Sequence, residues 1–274
     1  MYSMGYGTPG RTEIVKCEGL EKTGLLRHAY STRRGGRSRG QFESLNLGLH
    51  VGDDVSDVVE NRRTLCSEVG IDLSSAVFAQ QVHGKVTAVV TSNDRGRGVC
   101  ELRDAIRDTD CMCTVDKDVA LAVMYADCTP VIVLDPLTPA LGVAHAGWKG
   151  TALGAVGELV HTMHEAFGTL PESCMASIGP CIGKCCYIVD ERVYEEFRAN
   201  ERELDGVFER LEEDSSHFRL SLKDSNRLQL LASGLLDQNI FTYPECCRCR
   251  SDMFFSSRAS GGDTGRCAAI AMLV

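Results

Sequence analysis

VALAVMYADCTPVIVLDPLTPALGVAHAGWKG, residues 119–150, holds three short apolar runs: Val119–Tyr125, Val131–Leu134 and Leu141–Ala144. Each is four to seven residues of mostly Val, Leu, Ile and Ala bounded by turn residues, the pattern of buried strands. The polar residues stand where the runs stop. Asp127 and Cys128 follow the first; His145 follows the third, ahead of Gly147 and a helix expected from Thr151. A sulfur and an imidazole at neighbouring strand ends are the parts of a metal site or of a thiol–imidazole dyad. His83, in AQQVHGK, follows another strand-like run and is a third candidate.

Upstream of this stretch, His28–Thr32 reads as a strand running into STRRGGRSRG, residues 31–40. Glycines let a backbone approach a ligand, and guanidinium forks match phosphate oxygens, although a basic Gly-rich loop is commonly a solvated one. Asp53 or Asp54 caps a helix to about Val69, with Val55, Val58, Val59, Leu65, Cys66 and Val69 on one face. Arg62 falls within that apolar stripe. It calls for a salt bridge, a snorkelling position or a bound anion, because an unpaired buried charge is costly. Ala76–Val90 reads as two strands broken at His83–Gly84, and residues 94–107 as an exposed loop.

Downstream, Thr151–Phe167 is the clearest amphipathic helix. A strand at Cys174–Ile178 enters the tight loop GPCIGKCCYIVD, and Asp190 caps a further helix. Residues 200–216 are acidic and read as solvated surface; a helix over Asp224–Leu236 and a strand at Ile240–Tyr243 follow. Cys246 and Cys249 form one C-x-x-C, a weak zinc or redox signal without a second pair. Phe254–Ser257 and Cys267–Leu273 read as the last strands. Strands and helices mix without regular βαβ alternation, which indicates one α/β domain on mixed sheets.

The bulk composition sets the class. With 43% hydrophobic and 24% charged residues, the chain has material for an ordinary globular core. A net charge of -9 argues against nucleic-acid and anionic-membrane partners. No run approaches the roughly 18 apolar residues of a membrane span. The first dozen residues lack a secretory apolar core and read as a loose tail, so the expectation is a cytosolic protein with residues 1–24 as lead-in and 25–274 as the catalytic domain. Fourteen cysteines are then core residues, ligands or reactive thiols rather than a disulfide framework.

By residue type, His83, Cys128 and His145 can fill three of zinc's four tetrahedral positions and leave one open, a catalytic pattern. The set also suits copper. Cys128 with His145 as base would equally make a cysteine hydrolase.

The strings STRRGGRS, SLNLGLHVGDD, NRRTL, QQVHG, ADCTPV, AHAGWKG, IGPCIGKCCY and FFSSR, in that order from Ser31 onward, resemble one family. It was first described as laccase-like polyphenol oxidases and peptidoglycan editing factors, and is now regarded as zinc-dependent purine nucleoside phosphorylases with adenosine deaminase activity. The resemblance implies a single-domain, mixed-sheet α/β/β/α sandwich. It implies metal ligation by the His of QVHG, the Cys of ADC and the His of HAGW, which fall on His83, Cys128 and His145. Its substrates would be phosphate and adenosine, inosine or guanosine, and S-methyl-5'-thioadenosine is a further candidate. Two departures stand out: FFSSRAS replaces the family's FFSYRR, keeping Arg258, and Gly147-Trp148-Lys149-Gly150 replaces GWRG.

On this reading phosphate would be held by Arg33, Arg62 and Arg258, supported by Ser31, Asn46 and Lys149. Asp127 is a weak acid–base candidate, because strand alternation would turn it away from Cys128. A copper polyphenol oxidase is the rival reading, yet seven histidines are few for the several coppers of a laccase.

Overall fold

A computed structural model of the chain describes residues 1–5, 12–200 and 202–274. Two six-stranded sheets dominate. In spatial order the first comprises Tyr2–Gly5, Ile14–Cys17, Leu26–Ser31, Cys267–Leu273, Ala120–Tyr125 and Ala76–Phe78. The second comprises Ile240–Thr242, Met175–Ile178, Thr129–Asp135, Ala140–Ala146, Cys111–Thr114 and Thr87–Val89. Most neighbours are antiparallel, but Ala76–Phe78 runs parallel to Ala120–Tyr125, Met175–Ile178 to Ile240–Thr242, and Thr87–Val89 to Cys111–Thr114. A three-stranded sheet of Ile188–Asp190, His217–Leu220 and Phe208–Arg210 flanks them.

Side-chain alternation within the central strands explains the layering. In Ala120–Tyr125, residues Leu121, Val123 and Tyr125 face the second sheet, while Ala120 and Ala122 face outward toward Leu65 and Val69 of the helix Val55–Val69. In Thr129–Asp135, Ile132 and Leu134 face the first sheet, and Val131 and Val133 face Val156, Leu159 and Met163 of the helix Ala155–Phe167. Strands apolar on both faces require a layer on each side, and the result is the expected helix–sheet–sheet–helix sandwich. Tyr30 ties the sheets together by donating its hydroxyl hydrogen bond to the Ser177 carbonyl at 2.8 Å.

Several local readings are corrected. Tyr2–Gly5 is no loose tail: it pairs antiparallel with Ile14–Cys17, and Tyr2 Oη donates to the Ile178 carbonyl at 2.8 Å. Residues 6–11 of that segment lie outside the described residues. The expected helix from Thr151 begins at Trp148 and breaks at Gly154, whose φ of 87° a side chain would disfavour. Phe254–Ser257 is not a strand; Phe254 and Phe255 are anchors between the sheets, and Ser257–Ser260 is a short helix. Within the acidic segment 200–216, Val207 is fully buried and Phe208–Arg210 joins the small sheet. No helix among the described residues is long and apolar enough to cross a membrane.

Candidate active site

His145 shares the strand Ala140–Ala146 with Leu141 and Val143, which point between the two sheets, and the same parity carries its imidazole inward. Cys128 lies in the bend joining Ala120–Tyr125 to Thr129–Asp135. His83 comes from the connection after Ala76–Phe78 and holds a φ of 62°, an uncommon backbone state for a residue with a Cβ. Asp110 holds these pieces in place. Its two carboxylate oxygens accept the backbone N–H groups of Val82 at 3.2 Å, His83 at 2.9 Å and Gly84 at 2.7 Å. Its Oδ1 also lies 2.8 Å from Nδ1 of His145.

With Nδ1 engaged by Asp110, His145 presents Nε2 toward the cavity, and the imidazoles of His83 and His145 meet edge-on with centroids 4.9 Å apart. One donor atom from each of His83, Cys128 and His145 lies within 4.8 Å of the others. Two imidazoles and a thiolate suit zinc or copper, and a carboxylate behind a ligating histidine is the usual support of such a site. Gly147 packs against the trio: a Cβ there would lie 2.7 Å from Cys128 Sγ and 3.0 Å from His83 Cδ2. Burial pushes the Cys128 thiol up, but His145 and His83 outweigh it and hold the thiol below its ordinary value.

The trio opens into a cavity of about 720 Å³, within the range of small-molecule sites. Its walls include His50, Gln81, Asp127, Tyr187, Arg258 and Arg266. Asp127 lies in a bend rather than a strand, so alternation does not turn it from Cys128, and both residues line the cavity. Asp127 Oδ2 accepts the Arg258 backbone N–H at 2.8 Å, whereas Oδ1 is buried with no partner among the described residues. Burial holds this carboxyl above its usual value.

The cavity does not collect all the expected phosphate ligands. Arg258 lines it, with its guanidinium 5.0 Å from the Tyr187 ring centroid. Arg62 does not. It is 1% exposed, donates to the carbonyls of Leu47, Gly98 and Val99 at 2.9, 2.6 and 2.8 Å, and stacks on Phe78 at 3.8 Å. Its partners are therefore backbone carbonyls, two of them from the loop 94–107, which is largely exposed as expected but turns Gly98 and Val99 inward over this side chain. Arg33 donates to the carbonyls of Glu43 and Ser251 and stacks on Phe255, away from the cavity. Ser31 is buried, its Oγ accepting the Ala268 N–H at 2.9 Å. Lys149 is exposed against Trp148. Asn46 acts one step back from the cavity: its Oδ1 accepts the backbone N–H of Arg266 at 2.8 Å.

Arg266, Asp110, Gln81 and Tyr187 were not singled out by sequence. Arg266 and Asp110 each immediately precede a fully buried strand, Cys267–Leu273 and Cys111–Thr114. A charged residue at the mouth of such a strand is the signal that could have found them.

Residues 27–274 match the family model described as multi-copper polyphenol oxidoreductase laccase, and the chain belongs to that family. Within it, the chain is 41% identical over 236 residues to a protein of Geobacillus stearothermophilus named purine nucleoside phosphorylase YlmD, covering 86% of each chain. It is 31% identical over 239 residues to adenosine deaminase RL5 from an unknown prokaryotic organism, covering 87% of this chain and 90% of that one. Among solved structures, Bacillus licheniformis hypothetical protein YfiH superposes with a TM-score of 0.92 at 34% identity, covering 99% of both chains. YlmD from Geobacillus stearothermophilus gives a TM-score of 0.91 at 37% identity, covering 98% of both.

Proposed function

We propose that this chain is a purine nucleoside phosphorylase, cleaving adenosine, inosine or guanosine, and S-methyl-5'-thioadenosine as a further substrate, with an adenosine deaminase side activity at a His₂Cys zinc site. The observation that carries this reading is the shared cavity: His83, Cys128 and His145 open into the same space as Arg258, Arg266 and Asp127. The relatives named purine nucleoside phosphorylase and adenosine deaminase support the substrate class.

Phosphorolysis forms a bond from a phosphate oxygen to C1' of the ribose and breaks the bond to the purine nitrogen. Negative charge enters with phosphate, and the guanidinium groups of Arg258 and Arg266 are the cations that the cavity offers it. The purine departs with growing negative charge and needs a proton. Asp127, which lines the cavity and whose carboxyl burial raises above its ordinary value, is the acid–base group placed to move that proton. In deamination an oxygen from water replaces the amino group at C6 and ammonia leaves, with the same carboxyl moving the proton. His83, Cys128 and His145 would hold the zinc, which when bound supplies Lewis acidity beside these groups. Asp110 fixes the His145 tautomer and ring orientation. Tyr187 offers the purine an aromatic face.

A second reading rests on the same geometry. Cys128, His145 and Asp110 are also arranged as thiol, imidazole and orienting carboxylate, the parts of a cysteine hydrolase. The copper oxidase reading has less support. Among the described residues, the other cluster of ligand side chains is all cysteine, whereas a multicopper centre draws on many imidazoles.

Product analysis of adenosine turnover tests the proposal. Adenine and ribose 1-phosphate should form in proportion to added phosphate, with inosine and ammonia as minor products. Inosine alone, independent of phosphate, would reassign the chain as a deaminase. Neither product would reject both activities.

A further inference from the structure

Two loops far apart in sequence meet beside the small sheet. Residues 181–187 carry Cys185 and Cys186; residues 246–250 carry Cys246 and Cys249. A parallel bridge between Cys181 and Cys246, and a 3.0 Å bond from Cys247 N–H to the Cys181 carbonyl, hold the loops together. The sulfurs of Cys185, Cys186, Cys246 and Cys249 all lie within 4.8 Å of one another. Cys249 Sγ is 3.8 Å from Cys185 Sγ and 3.4 Å from Cys186 Sγ. A tetrahedral ion with zinc–sulfur bonds of about 2.3 Å sets its sulfurs about 3.8 Å apart. The backbone adds donors suited to a thiolate. Gly183 N–H points at Cys246 Sγ at 3.1 Å, and the N–H groups of Arg248 and Cys249 approach the same sulfur. A Cβ on Gly183 would sit 3.0 Å from Cys246 Cβ and 3.3 Å from Cys185 Sγ, so a larger residue would crowd two of the sulfurs.

We propose that Cys185, Cys186, Cys246 and Cys249 form a tetrathiolate zinc site, separate from the cavity, that clasps the two loops. All four positions of the ion are filled by protein, as in structural rather than catalytic sites. Binding displaces the thiol protons to solvent and moves no electrons. The clasp has a consequence for the active-site wall: Ile182 and Tyr187, at either end of the CIGKCCY loop, line the cavity, and Arg258 stacks on Tyr187. The site does not depend on the phosphorylase reading, because its ligands and its readout are separate from His83, Cys128 and His145.

The test is the zinc content of the full-length protein, purified with reductant and zinc, for the wild type and for Cys249→Ser, Cys186→Ser and Cys128→Ser. Cys249→Ser and Cys186→Ser should each carry one zinc per chain fewer than wild type, and Cys128→Ser should keep the tetrathiolate zinc. Should Cys249→Ser and Cys186→Ser fail to fold, cobalt substitution in Cys128→Ser gives a second readout, the intense sulfur-to-cobalt charge-transfer bands of a four-thiolate ion. Unchanged zinc in Cys249→Ser, iron in place of zinc, or cobalt spectra without thiolate bands would overturn the proposal. So would recovery of these four cysteines as disulfides from reductant-free, anaerobically prepared protein.

Discussion

Asp110 accepts hydrogen bonds from three consecutive backbone N–H groups and sits against His145 Nδ1, so one carboxylate aligns two of the three candidate metal ligands. Asp110→Asn turns part of that acceptor into a donor facing other donors. Zinc affinity at His83, Cys128 and His145 should fall about 10–100-fold, as for other outer-shell partners of ligating histidines, read by competition with a chromophoric chelator. Unchanged affinity would show that the histidines are aligned without it. Two arginines separate by location in the same way. Arg266→Met should raise the KM for phosphate and cost less stability than Arg62→Met, since it gives up bonds to two carbonyls, those of Thr264 and Gly265, from a partly exposed position. Arg62→Met strands three buried carbonyls and should cost at least about 3 kcal/mol in urea unfolding, with phosphate KM unaltered. The reverse pattern would return Arg62 to the phosphate site. Sequence picked out Arg62 because a cation in an apolar stripe is anomalous, but periodicity cannot tell a carbonyl-capped structural arginine from an anion ligand.

At the scale of elements, the sheets form through pairings between distant segments, and one such pairing carries a buried imidazole. His28, on Leu26–Ser31, accepts the Cys17 N–H of the adjacent strand at Nε2, 2.9 Å away. Burial lowers its value from 6.5 to about 4. Between those values the unfolded chain takes up a proton that the folded chain refuses. The stability contribution is therefore complete above pH 6.5 and is lost as pH falls toward about 4, by about 3 kcal/mol. His28→Gln keeps an acceptor without the titration, so the drop in urea midpoint between pH 7 and pH 4.5 should be smaller than in wild type; equal drops would contradict the assignment. The central strands and the helix Val55–Val69 were legible because apolar runs, the Asp54 cap and Gly70 mark their ends locally. Tyr2–Gly5 was not: its pairing with Ile14–Cys17 depends on tertiary contacts such as Tyr2 with Ile178, which no local pattern encodes. Cys246 and Cys249 looked like half a metal site for the same reason, since their partners lie some sixty residues upstream as an adjacent pair.

For the whole molecule, the sandwich explains why a site can assemble from positions as distant as His83, Cys128, His145 and Arg266. The gap between the sheets ends where the strands stop, and the polar residues at those ends share one cavity. His83, Cys128 and His145 stood out by residue type where apolar runs stop, and the family motifs fell on the same three. The arginine and carboxylate around them depended on which strand mouths become neighbours, and that is set by sheet order. The most direct measurement is phosphate-dependent base release from adenosine and inosine by metal-defined protein, before and after chelation and after zinc is restored. Release that disappears on chelation and returns with zinc is the expected result. Absent base release, together with a chelator-resistant, thiol-sensitive hydrolysis of an ester or amide, would contradict it and make Cys128 a nucleophile.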